Sequence, residues 1–130
     1  MHIFYPLNVQ WKISFRLSKT ARILNLKPFT IALAQSNFVL GDLHANAQII
    51  LTQAKSAFTK GAKLLVTPEL SLTGYPPEDL LLRDAFIDAV ESELALLTQE
   101  LAQFTDFTVI VGHPSRNQSS GQLFNQASVL

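Results

Sequence analysis

No cysteine occurs among the 130 residues. This excludes disulfides, thiolate-bound metal and a cysteine nucleophile drawn from these residues, and it agrees with a reducing compartment. Charge is sparse as well: Asp, Glu, Lys and Arg together make up 15% of the chain, and ten bases balance ten acids. A neutral chain carries no electrostatic reason to bind nucleic acid or an acidic membrane. No apolar run approaches the roughly 18 residues of a membrane-spanning helix, so the chain reads as soluble, with a cytoplasmic location expected. Phosphate-loop, dinucleotide and serine-elbow motifs are all missing.

The first thirty residues lack acids altogether. Lys12, Arg16, Lys19, Arg22 and Lys27 stand there, whereas residues 31–130 hold five bases and all ten acids. Such a start has the composition of a transit peptide, but it shows neither a cleavage site nor a signal-type apolar stretch. Residues 1–29 are therefore read as a basic N-terminal extension, poorly ordered or upstream of the true start, and residues 30–130 as the domain. With 48% apolar residues, the chain can bury a core of one-domain size.

Residues 30–36 (TIALAQS) are short and apolar, as a buried strand requires. Asp42 is placed to cap a helix. Leu43, Ala47, Ile50, Ala54, Ala57 and Phe58 then recur at helical spacing, and Gly61 stands where a C-terminal cap needs positive φ. Residues 63–67 (KLLVT) form the next strand. Strand, helix and strand at this spacing make a βαβ unit with parallel strands. Pro76 or Pro77 opens a short helical turn, with Glu78 and Asp79 at the positive end of its dipole. A longer helix from about Asp84 buries Phe86, Ile87, Val90, Leu94, Leu97, Leu101 and Phe104. Residues 107–112 (FTVIVG) have the unbroken apolar character of a strand covered on both faces, and residues 123–130 (LFNQASVL) form a further strand after a turn-rich NQSSGQ.

The stretch TPELSLTGYPPEDLL (67–81) places one carboxylate, Glu69, two residues beyond a parallel strand, where ligands of α/β sheets gather. It is either a solvated loop acid or a working acid–base, and the second role calls for a dry, rigid setting. Tyr75 is either a pocket wall or a half-buried loop anchor. His44 and His113 have no companion at metal-ligand spacing, so no metal site is expected. Ser36, Ser71 and Ser115 have no visible base and read as turn or cap serines. Glu78 and Asp79 read as helix-start charges, and Arg83 as a partner for a nearby acid.

Taken in order, IALAQSNFVLGDLHANAQII, GAKLLVTPELSLTGYPPEDLLLRDAF, VIVGHPS and LFNQASVL resemble the start of carbon–nitrogen hydrolases of the nitrilase superfamily. GYPPEDLLLR further resembles the glutamine-amidohydrolase domain of glutamine-dependent NAD⁺ synthetases. The resemblance covers about residues 30–130. It implies an α/β fold, part of a four-layer α-β-β-α sandwich, whose mixed sheet begins with the βαβ unit. It also implies a Glu–Lys–Cys site that hydrolyses glutamine, with Glu69 as general base and Tyr75 bordering the glutamine pocket. No cofactor is implied for this domain; ATP and Mg²⁺ belong to a separate synthetase domain that amidates deamido-NAD⁺. Full-length members are expected to be homo-oligomers.

In the family the lysine and cysteine follow the strand that LFNQASVL resembles. The chain is accordingly expected to be the N-terminal part of such a domain, marginal or self-associating alone because an apolar sheet face goes uncovered. Two other readings stay open at this point: a shortened member of another amidase branch, and a non-catalytic α/β interaction module. The family reading predicts that the purified 130-residue chain releases no ammonia from glutamine. Release that disappears in Glu69→Gln would overturn that expectation.

Overall fold

The computed structural model describes residues 9–13 and 29–130. Five strands form one mixed sheet in sequential order: β1 (Val9–Ile13), β2 (Ile31–Gln35), β3 (Leu64–Val66), β4 (Thr108–Arg116) and β5 (Leu123–Val129). Strands β2, β3 and β4 run parallel, with Leu33 beside Val66 and Val66 beside Ile110. At the two margins, β1 pairs antiparallel with β2 and β5 antiparallel with β4. Helix α1 (Leu43–Thr59) joins β2 to β3, and a 3₁₀ turn (Glu78–Leu82) with helix α2 (Asp84–Leu101) joins β3 to β4.

The local signals read from the sequence act as anticipated. The Asp42 carboxylate accepts a hydrogen bond from the Ala45 amide at 3.1 Å and caps α1. Gly61, at φ 77°, turns the chain after that helix. Pro77 caps the 3₁₀ turn. Both helices pack on the same face of the sheet. Ile50, Ala54 and Ala57 of α1 and Val90, Leu97 and Leu101 of α2 enclose Ala34, Leu65, Val109 and Val111 from alternate strand positions. Burying each of the larger of these side chains stabilises the fold by about 1.5–3 kcal/mol. Phe58, Phe104 and Phe107 close the base of this layer as a triad with ring centroids 5.2–6.2 Å apart.

Three expectations need adjusting. Residues 9–13, taken as part of an extension, pair with the whole of β2; the rest of residues 1–28 lies outside the described residues. Strand β4 is covered on both faces only toward its end: Val109 and Val111 are buried on one face, whereas on the other Thr108 and Ile110 stay half-exposed and Gly112 and Pro114 are buried. It also runs on to Arg116, through Pro114. A proline is tolerated there because the ladder with β3 ends at Ile110, leaving no partner on that side for a missing N–H.

The predicted apolar face of α1 also contains two buried amides, Asn46 and Gln53. Asn46 is wholly buried. Its Oδ1 accepts from the Val39 amide at 2.8 Å, and its Nδ2 donates to the carbonyls of Val39 (2.7 Å) and Leu72 (3.1 Å). One side chain thus ties the loop after β2 to the loop after β3. Replacing it removes three hydrogen bonds to backbone, one of them buried at the Leu72 carbonyl and two part-buried at Val39, whose carbonyl keeps the Asp42 amide at 3.3 Å; a buried polar group left unpaired costs about 1–3 kcal/mol. Asn46→Ala should lower unfolding stability by about 2–4 kcal/mol in urea titrations, whereas Gln48→Ala, at an exposed position of the same helix, should change it by less than about 0.5 kcal/mol.

Candidate active site

The loop after β3 departs from regular geometry at once. Thr67 Oγ1 and Ser71 Oγ lie 2.6 Å apart, closing a short loop of which Glu69 is the middle residue. Both hydroxyls are buried, and both bind the backbone of β4: the Gly112 amide donates to Thr67 Oγ1 at 3.2 Å, and Ser71 Oγ donates to the Gly112 carbonyl at 3.3 Å. The Leu72 amide adds a second bond to the same carbonyl, at 3.2 Å. Ser71 is therefore a structural serine, as its loop position indicated. Leu70, next to Glu69, has φ 50°, a left-handed conformation that costs a side-chain-bearing residue about 1 kcal/mol or more.

Gly112 makes this arrangement possible. A Cβ on it would lie 2.6 Å from the Pro68 carbonyl oxygen and 2.8 Å from the Leu70 amide nitrogen. Both are backbone atoms, so the Glu69 loop can lie this close to β4 only above a glycine. Gly74 plays the same part on the other side, where a Cβ would fall 2.7 Å from the Leu40 Cα. There the Gly41 amide donates to the Thr73 carbonyl at 2.8 Å, joining the two loops.

Between these loops, at the carboxyl ends of β2 and β3, lies an open cavity of about 200 Å³ lined by Ser36, Asn37, Phe38, Glu69 and Tyr75, among others. Glu69 and Tyr75, the two site residues named from the sequence, thus share one wall. Both are exposed, Tyr75 to 68%, so the dry setting expected around Glu69 is absent among the described residues. Its Oε1 accepts a hydrogen bond from Asn125 Nδ2 of β5 at 2.5 Å. Ser36 is held by a hydrogen bond from Gln53 Nε2 of α1.

The other candidates fall elsewhere. His44 pairs with Glu93 at 3.2 Å on the exposed side of α1 and α2. His113 is buried, with Nδ1 against the Pro114 carbonyl (2.9 Å) and Nε2 against Ser128 Oγ (2.7 Å). Ser115 Oγ donates to Gln126 Oε1 at 2.5 Å. Arg83 pairs with Asp79 at 3.4 Å across one turn. Among the described residues no cluster of three or more metal-ligating side chains occurs, and no helix is long and apolar enough to cross a membrane.

Residues 30–130 match the carbon-nitrogen hydrolase family. The chain belongs to that family. A carbon–nitrogen hydrolase relative, the glutamine-dependent NAD(+) synthetase of Synechocystis sp., is 41% identical over 78% of this chain and 19% of its own length. The chain thus spans about a fifth of this curated relative, within its N-terminal part. The structure of the glutamine-dependent NAD+ synthetase of Acinetobacter baumannii, in complex with ADP, superposes with a TM-score of 0.68 at 34% identity, over 80% of this chain and 19% of that one. A more distant likeness is to an amidase from Nesterenkonia sp., solved as a variant with the acetamide moiety of fluoroacetamide covalently added at the active-site cysteine. It has a TM-score of 0.61 and 26% identity, over 76% of this chain and 37% of that one. These solved relatives carry the mixed α/β fold of the nitrilase superfamily, as the sequence implied.

Sequence reasoning missed Asn125, Asn46 and the Thr67–Ser71 clasp. Gly112 did carry a signal, since an isolated glycine inside an apolar strand marks close backbone approach. Gly112→Ala should displace the Glu69 loop, cost about 1–3 kcal/mol in denaturant unfolding, and alter the backbone amide resonances of residues 67–72. Unchanged stability together with unchanged loop resonances would contradict the close approach.

Proposed function

We propose that this chain supplies the general-base part of a glutamine-hydrolysing site, with Glu69 as the base and Tyr75 on the wall of the glutamine pocket. The reading rests above all on the placement of Glu69: it is held rigidly beyond a parallel strand and lines a cavity with Tyr75. The stronger likeness to glutamine-dependent NAD+ synthetases than to the amidase favours glutamine over other amides.

A primary amide is a poor electrophile, so its hydrolysis proceeds best in two steps through a thioester. Glu69 takes the proton of a thiol, and the thiolate attacks the side-chain carbonyl of glutamine. The carboxylic acid then returns the proton to the leaving nitrogen, and ammonia departs as the C–N bond breaks. In the second half Glu69 takes a proton from water, which attacks the thioester and releases glutamate and the thiol. A lysine ammonium stabilises the oxyanion in both halves. Since the 130 residues contain no cysteine, the nucleophile comes from outside them, and on the family pattern so does the lysine. The ammonia serves to amidate deamido-NAD⁺ at a separate ATP- and Mg²⁺-dependent centre, within a cytoplasmic, homo-oligomeric enzyme.

The test is a replacement of the matching segment of the Synechocystis synthetase by residues 30–130 of this chain. The chimera should form NAD⁺ with either glutamine or ammonia as nitrogen donor. Glu69→Gln in it should lower the glutamine-supported rate roughly 10²–10⁴-fold and leave the ammonia-supported rate intact. Equal rates with glutamine before and after that substitution would remove Glu69 from the mechanism.

A further inference from the structure

The geometry points to Asn125 as a positioning residue that fixes which carboxylate oxygen of Glu69 is free to move a proton. This inference rests on the reading of Glu69 as the general base and adds to it a residue 56 positions away in sequence. The Glu69 backbone is held from the side of β3 and β4 by the Thr67–Ser71 clasp and the Gly112 contact. Those contacts fix the main chain, but a glutamate side chain retains three rotatable bonds beyond it. Asn125 acts on that remaining freedom. It pairs with Pro114 in the β4–β5 ladder, two residues beyond Gly112 in β4, and reaches the carboxylate from the β5 side.

An ionised carboxylate only accepts hydrogen bonds, so the asparagine must present its NH₂ group to it. The bond to Oε1, at 2.5 Å, is the one hydrogen bond to this carboxylate among the described residues. It leaves Oε2 without a partner among the described residues. A single donor of this kind does two things: it selects one rotamer, and it makes the two oxygens inequivalent, so that proton transfer runs through Oε2 alone. Asn125 is exposed, so it contributes little to packing. An exposed hydrogen bond adds little to stability, and its effect here is orientation.

Two measurements test this. In ¹H–¹⁵N spectra of the full 130-residue chain, the side-chain amide protons of Asn125 should shift in Glu69→Ala while those of Asn117 and Gln48 hold still. In the chimeric synthetase, Asn125→Ala should lower kcat for glutamine roughly tenfold to a hundredfold with KM changed much less, and leave ammonia-supported synthesis and thermal unfolding unchanged. Asn125→Asp, which sets a second carboxylate against the first, should do at least as much damage. Asn125 amide signals that ignore Glu69→Ala would overturn the proposal whether or not the chimera folds. So would an undiminished kcat in Asn125→Ala when Glu69→Gln abolishes glutamine use. Should Glu69→Gln itself leave glutamine use intact, the general-base reading falls and the role of Asn125 falls with it.

Discussion

Everything near the site depends on backbone lying against backbone at Gly112. The β3–β4 ladder ends at Val66 and Ile110, and beyond it two hydroxyls and one amide take over the hydrogen bonding that a longer strand would have supplied. Parallel pairing gives way to a clasp, and the residue lifted out of the ladder is the glutamate. Because the fixing atoms are buried, water cannot compete for them, and each bond holds more firmly than an exposed one would. The strain at Leu70 is sustained by these contacts rather than by the loop's own preferences.

The second loop is fitted to the first. Asn46 bonds to backbone on both, and Gly74 lets them touch. An asparagine with no exposure in the middle of an apolar helix face would be expensive unpaired; with three bonds made it specifies one loop arrangement rather than several. Helix α1 thereby does more than cover the sheet. Its apolar residues hold the layers together, while one of its polar residues sets the mouth of the cavity.

Much of this was readable in advance, for a definite reason. Helix periodicity, the Asp42 cap, the glycine at 61 and the prolines at 76 and 77 are local signals that act within a turn or two, and the elements formed where those signals lie. The βαβ unit followed from spacing alone. Asn46 and Gln53 were hidden because polar residues interrupt an apolar stripe and count against burial. Asn125 was hidden because nothing near residue 125 records the presence of Glu69; only the folded sheet brings them together. The exposure of Glu69 was misjudged for a related reason, since proximity to an apolar strand and to prolines does not say how many sides of a side chain are covered. In the first thirty residues a count of charges obscured a simpler pattern: VQWKI alternates apolar and polar residues with the period of a strand.

That strand has a topological consequence. Each β-strand offers two rows of hydrogen-bonding groups, and β2 has both engaged, one by β1 over five register pairs and one by β3 over three. Over Ile31–Leu33 no vacancy is left beside β2. A strand arriving there from any other segment or molecule has to peel β1 away first, whereas the outer row of β5 has no strand beside it among the described residues. Among the described residues the sheet therefore grows freely only at its two margins, the outer rows of β1 and β5, and β2 takes a new partner only in exchange for β1.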